Sequence, residues 1–107
     1  KSGDVTFEPP LPRINQKAID RLGMGVLDKL YLRFDTIFWD KDVTWIETPE
    51  TGLPAGQFNG WFNLARFTGE PIIMAFNGGQ PARDLSKLSD GQLIERGESV
   101  LRKAYPA

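Results

Sequence analysis

The sequence predicts an α+β fold: a mostly antiparallel sheet of about five strands flanked by three helices. Three observations predict it. Gly25 to Asp35 alternates strictly, with Val26, Leu30, Leu32 and Phe34 on one parity and Leu27, Lys29, Tyr31 and Arg33 on the other. Such alternation sends successive side chains to opposite faces of a sheet. The later strand-like stretches are separated by short Pro/Gly-containing turns, which favour an antiparallel meander. Helical spacing appears near both ends of the chain, so helices should cover one face of the sheet.

In order, Val5 to Phe7 reads as a short strand. Glu8 to Pro12 (E-P-P-L-P) is a stiff extended connector, because proline fixes φ and removes a donor. Pro12 suits the first turn of a helix running to about Leu22, with Leu11, Ile14, Ala18, Ile19 and Leu22 as its apolar stripe. Gly23 is expected to end it in the left-handed conformation. Met24 and Gly25 lead into the alternating strand, read as the central one. Asp35 to Lys41 is a turn carrying Phe38 and Trp39, whose indole N–H needs a partner if it plugs the end of the core.

Val43 to Glu47 is a strand, and Thr48 to Gly56 (T-P-E-T-G-L-P-A-G) a loop. Gln57 to Leu64 is a strand in which Gly60 marks weakness, a bulge or close approach by another group. Ala65 to Glu70 is a turn. Ile72 to Asn77 lacks alternation, which suits a strand covered on both faces. A short helix over Gln80 to Lys87 follows. Ser89 and Gln92 then have capping-box spacing, opening a helix to about Ala104 with Leu93, Gly97, Val100, Leu101 and Ala104 on one face. Arg102 and Lys103 sit where cations meet the negative end of its dipole.

Composition narrows the function. The 107 residues are the size of one domain, read here as 1–107. Thirteen basic residues against 14 acidic ones, a formal charge of -1, give no surplus for nucleic-acid phosphates or anionic lipid. The chain has no Cys and no His. That removes disulfides, thiolate chemistry, imidazole acid–base work and the usual zinc sites. It fits a reducing, cytoplasmic compartment. No apolar run approaches the roughly 18 residues of a membrane span, and the start K-S-G-D has no signal-peptide character. The abrupt ends read like a piece cut from something larger.

Few groups suit catalysis. No Gly-rich phosphate loop is present: Gly23-Met24-Gly25 precedes a strand, and Gly78-Gly79 lacks the rest of the pattern. No carboxylate pair has a spacing that enforces convergence. Lys29 remains, a flexible cation between Leu27 and Tyr31. A strand lysine is ordinarily solvated. If that face is buried against another body, desolvation lowers a lysine's pKa and makes it useful as a base or an orienter of water.

The segments F-E-P-P-L-P (Phe7 to Pro12), K-A-I-D-R-L-G-M-G-V-L-D-K (Lys17 to Lys29) and L-R-F-D-T-I-F-W-D (Leu32 to Asp40) resemble one block of the flavin-containing amine oxidases. That family includes monoamine oxidases, polyamine oxidases and lysine-specific histone demethylases. W-F-N-L (Trp61 to Leu64) and P-I-I-M-A-F-N-G-G (Pro71 to Gly79) resemble the strands that follow in those proteins, so the resemblance covers nearly the whole chain. It implies a partial substrate-binding domain, a sheet flanked by helices over the flavin of FAD. It implies that Lys29 matches the active-site lysine that holds a water beside flavin N5. Leu27 then matches a residue lining the substrate cavity, and Phe62 a cavity-lining aromatic, although ordinary core packing would also account for Phe62. The implied reaction is oxidation of an amine to an imine, which water hydrolyses, with hydrogen peroxide formed as oxygen reoxidises the flavin.

The departures shape the expectation. The Gly-rich FAD fingerprint and the C-terminal segment that supplies the aromatic substrate cage lie outside these residues. The implied partners are the FAD-binding remainder of the same polypeptide and a small-molecule amine, with neither nucleic acid nor membrane. The isolated chain is expected neither to bind FAD tightly nor to oxidise amines. A homodimer through the Leu27/Tyr31 face, which excision would expose, is also expected. The alternative is a binding or assembly module of the same fold without chemistry.

Overall fold

A computed structural model describes residues 3–106 of the chain. In order the elements are α1 (Arg13–Arg21), β1 (Leu27–Arg33), β2 (Trp45–Glu47), β3 (Gly60–Asn63), α2 (Ala65–Thr68), β4 (Ile72–Gly78), α3 (Gly79–Leu85) and α4 (Asp90–Ala104). The fold is α+β, with every strand pairing antiparallel. Among the described residues the sheet has four strands, in the order β1-β4-β3-β2, and there are four helices. The expected count of five strands and three helices is corrected on both sides. Val5 to Phe7 is irregular, and Val5 and Phe7 are exposed. A three-residue stretch running into prolines has no ladder to join, and without one an isolated strand is not stable. The extra helix is α2, a single turn closed by Gly69 at φ 75° in a stretch read as a turn.

β1 is also not central. It forms one edge, and β4 lies between β1 and β3. That position explains the unbroken apolar run in β4: Ile73, Met74 and Ala75 are all buried. β2, β3 and β4 form the expected meander, whereas the long 34–44 connection carries the chain from β1 at one edge to β2 at the other.

Alternation in β1 divides the sheet into two faces. Leu30 and Leu32 point to the rear, where Ile73, Ala75 and Trp61 join them through the strand register. Here α3 and α4 pack, and Leu85, Val100 and Leu101 complete the core. α4 begins with the capping box read from the sequence: the Ser89 hydroxyl accepts from the Gln92 N–H, and the Gln92 amide oxygen accepts from the Ser89 N–H. Gly97 brings this helix close to the sheet. A Cβ there would lie 2.8 Å from Leu30 Cδ2 and 3.4 Å from both Leu32 Cδ1 and the Trp61 ring. Gly97→Val is therefore expected to destabilise the fold by about 1–3 kcal/mol, since overpacking a tight contact forces neighbours off their rotamers. Thermal unfolding followed by circular dichroism checks this, and an unchanged midpoint would show that α4 has slack.

Buried polar groups tie the loops to this core. Asn63, fully buried, accepts at Oδ1 from the Trp39 indole N–H (2.8 Å) and the Ala65 N–H (3.1 Å). Its amide donates to the carbonyls of Asp40 (3.3 Å), Lys41 (3.1 Å) and Val43 (2.7 Å). The partner that Trp39 needs is thus Asn63. Phe58 adopts φ 56° while fully buried, a conformation costly for a bulky residue. Its N–H donates to Asn77 Oδ1, and its carbonyl accepts from the Thr48 hydroxyl and the Trp61 indole. These bonds hold the turn that leads into β3.

α1 stands apart. It buries none of its residues; Ile14 and Leu22 of the expected apolar stripe are widely exposed, while Ile19 lines a hollow with Val5 and Phe7. Its end also differs: Leu22 leaves the helix in an extended conformation, and Gly23 is not left-handed. With this arm the molecule measures 60 × 29 × 23 Å.

Candidate functional site

The front face of the sheet carries the residues singled out in the sequence. Leu27, Lys29 and Tyr31 project from β1 on the parity opposite Leu30 and Leu32. The register places Gly78, Phe76 and Met74 of β4 opposite them, then Gly60 and Phe62 of β3, then Glu47 and Trp45 of β2. α2 touches this side at Phe62 through Phe67, while Leu27 (61%) and Tyr31 (56%) keep more than half their surface open.

Lys29 is exposed, and its Nζ lies 5.4 Å from the centre of the Phe76 ring. That separation is within the range at which an ammonium is attracted to an aromatic face. Among the described residues Lys29 joins no ion pair. The other front-face cation of β1, Arg33, is paired with Glu70 at 2.7 Å. Lys29 is thus an unneutralised charge in aromatic surroundings. It can donate to a water or to an acceptor atom brought against the face.

Leu27 is on the same strand and face as Lys29. Phe62 shares the face but lies two strands away, opposite Met74, which in turn opposes Tyr31. Phe62 is half-buried and does not belong to the rear core. Its ring stacks on exposed Phe67 of α2, with centres 5.5 Å apart and planes 3° from parallel. Sequence reasoning missed Phe76, beside the lysine, and Trp45, which reaches the Phe76 ring. Phe76 sat in a run with no alternation to assign its side, and only the β1–β4 register puts it opposite Lys29.

Another concavity lies elsewhere. A cleft of about 690 Å³ opens beside the end of α4, between Phe34, Phe38, Leu101 and Tyr105. Burial and the charge of Asp40 raise the Tyr105 phenol above its ordinary pKa. None of the residues singled out in the sequence for chemistry lines it, so the open front face is the better candidate. Among the described residues no cluster of His, Cys, Asp or Glu could hold a metal, and no helix is long and apolar enough to cross a membrane.

Comparison with known proteins places the chain in a family. The chain is 39% identical over 106 residues to Polyamine oxidase 2 of Arabidopsis thaliana, covering 99% of this chain and 21% of that protein. It is 34% identical over 107 residues to Polyamine oxidase 4 of Oryza sativa subsp. japonica, again covering 99% and 21%. It is also 34% identical over 107 residues to Lysine-specific histone demethylase 1 homolog 3 of Arabidopsis thaliana, covering 98% of this chain but 6% of that protein. The chain therefore spans 21% of the length of the two polyamine oxidases it resembles. Residues 2–107 match the sequence model of the group described as flavin containing amine oxidoreductase, and the chain belongs to that family.

Proposed function

We propose that residues 1–107 form one domain, part of the substrate-binding domain of an FAD-dependent amine oxidase, and that the front face of the sheet is the substrate-side wall over the flavin. Lys1, Ser2 and Ala107 lie outside the described residues. The observation that carries the reading is Lys29, unpaired and exposed on an open apolar sheet face with Leu27 on the same strand. The chemistry of this face fits the edge of a flavin: a flat apolar surface suits a planar ring, and one ammonium supplies donors at its border. When bound, the flavin supplies a two-electron acceptor for hydride leaving the carbon beside the amine.

The chain's own residues have distinct tasks. Lys29 holds a water in place through its N–H donors and keeps positive charge at the wall. Leu27 and Phe62 supply apolar surface that excludes bulk water from the amine's carbon chain. Water exclusion strengthens each remaining electrostatic contact at the face. The substrate is a small-molecule amine, and the partner is the FAD-binding remainder of the same polypeptide. Similarity to proteins named polyamine oxidases supports an amine of that class. The full-length parent carrying Lys29→Met, profiled on a panel of amines beside the unmodified parent, tests the reading. Unchanged oxidation would overturn it.

The isolated chain is expected to be inactive and to bind FAD weakly, because it offers the flavin one wall. Purified alone, it should show no flavin absorbance near about 450 nm; near-equal co-purification of flavin would contradict this. A second reading is favoured by the exposure of Leu27 and Tyr31: a non-enzymatic module that self-associates through this face. In that case sedimentation should show a dimer that Tyr31→Glu dissociates, and a monomer at high concentration would count against it.

A further inference from the structure

One rung of the sheet runs Lys29, Phe76, Gly60, Glu47 from edge to edge. Gly60 leaves this rung without a side chain on the front face. Trp45, two residues before Glu47 on β2, fills the gap diagonally: a Cβ at position 60 would meet its Cζ2 at 2.6 Å. Through the gap the indole reaches the Phe76 ring, with centres 5.5 Å apart and planes at 36°. The indole is itself held from the other side by Phe62, edge to face at 6.1 Å. Phe76 in turn presents its ring to the Lys29 ammonium at 5.4 Å.

We infer that Phe76 is a positioning residue for Lys29, kept in place by Trp45 lying over Gly60. The inference rests on the reading of Lys29 as the working lysine. A lysine on an edge strand has four rotatable bonds and, left to itself, samples many rotamers. The electron-rich face of a directly opposed ring favours those that keep the ammonium above β4. Phe76 could do this only if its own ring were prevented from leaning towards β3, where Gly60 offers no resistance. Trp45 occupies that space. The glycine thus allows an aromatic on one edge of the sheet to steady a cation on the other.

Two readouts test this. In the 107-residue chain the Lys29 ε-methylene protons, assigned by their loss in Lys29→Met, should resonate upfield through the ring current of Phe76. Phe76→Leu should return them to the position of a free lysine, and Phe76→Tyr should leave them upfield. In the flavin-loaded parent, Phe76→Leu should slow flavin reduction at saturating amine roughly tenfold, with amine affinity unchanged, and Phe76→Tyr should restore the rate. Trp45→Leu, on an exposed edge strand, should shift both readouts in the same direction by less, and it stands in if Phe76→Leu does not fold. The inference is overturned if the resonance and the rate ignore loss of the ring, or if Phe76→Tyr behaves like Phe76→Leu. If instead Lys29→Met in the parent reduces flavin at the unmodified rate, it is the role of Lys29 that fails, while the resonance still reports on Phe76.

Discussion

Lys29→Met in the full-length parent is expected to lower the turnover number for amine oxidation by at least about 10²-fold, the scale of losing one positioned acid–base group. Methionine keeps the length and much of the apolar stem of lysine but has neither charge nor N–H donors. The substitution therefore removes the group proposed to hold water while leaving the apolar surface around it in place. The Phe76 ring beside Lys29 loses a cation and gains an uncharged thioether, a change that packing tolerates. Because Lys29 is exposed and joins no ion pair among the described residues, its replacement should cost little stability. Loss of activity cannot then be ascribed to unfolding. KM should move far less than kcat, as for a group used chiefly in the transition state. Stopped-flow flavin reduction, with flavin content matched by absorbance, separates these terms. A variant with normal turnover would remove Lys29 from the chemistry.

Asn63→Leu should have the largest effect on stability. The two side chains are similar in volume, so no large cavity opens. What changes is hydrogen bonding: the Trp39 indole N–H and the Ala65 N–H lose their acceptor, and the carbonyls of Asp40, Lys41 and Val43 lose a donor. Trp39 (5% exposed) and Ala65 (7%) are too deeply buried for water to substitute freely. Each orphaned buried group costs about 1–3 kcal/mol, so a loss of about 3–5 kcal/mol is expected. For a domain of this size that lowers the thermal midpoint by about 15 °C or more. Trp39→Phe makes the diagnostic background, because it removes one donor beforehand. Asn63→Leu should cost less there, and the difference measures the coupling. A midpoint within about 3 °C of the unmodified chain would mean that the 39–43 loop does not depend on this amide.

Much of the rear face was legible in the sequence, since it depends on local signals. The Ser89–Gln92 spacing marked the start of α4, and parity in Gly25 to Asp35 separated Leu30 and Leu32 from Lys29 before any partner was known. Gly60 was readable as a site of close approach, though not that the approaching group is Trp45. What failed depends on distant pairing. β1 looked central because its pattern is long and regular, yet a pattern gives no position in a sheet, and β1 lies at the edge. Val5 to Phe7 has strand composition but no ladder. The α1 stripe predicted a covered apolar face, but none of the helix's residues is buried. At the site, Lys29 and Leu27 shared a face by counting alone. Phe62 joined them only through two successive registers, and Phe76 could be assigned to neither side until β4 was paired with β1.

The division of the sheet into a packed side and an open side also bears on how such a wall can diversify. Leu27, Tyr31 and Trp45 retain much of their surface, so exchanging them alters what the wall touches at little cost to folding. On the proposed reading, amine preference can therefore drift one residue at a time. A change in chain length is another matter. Inserting one residue between Gly25 and Lys29 without moving the β1–β4 pairing would put the ammonium where Leu30 now meets Gly97, and send leucines outward. On this strand Leu27 and Tyr31 can be revised while Lys29 is kept, but the strand's length is held fixed by the interior.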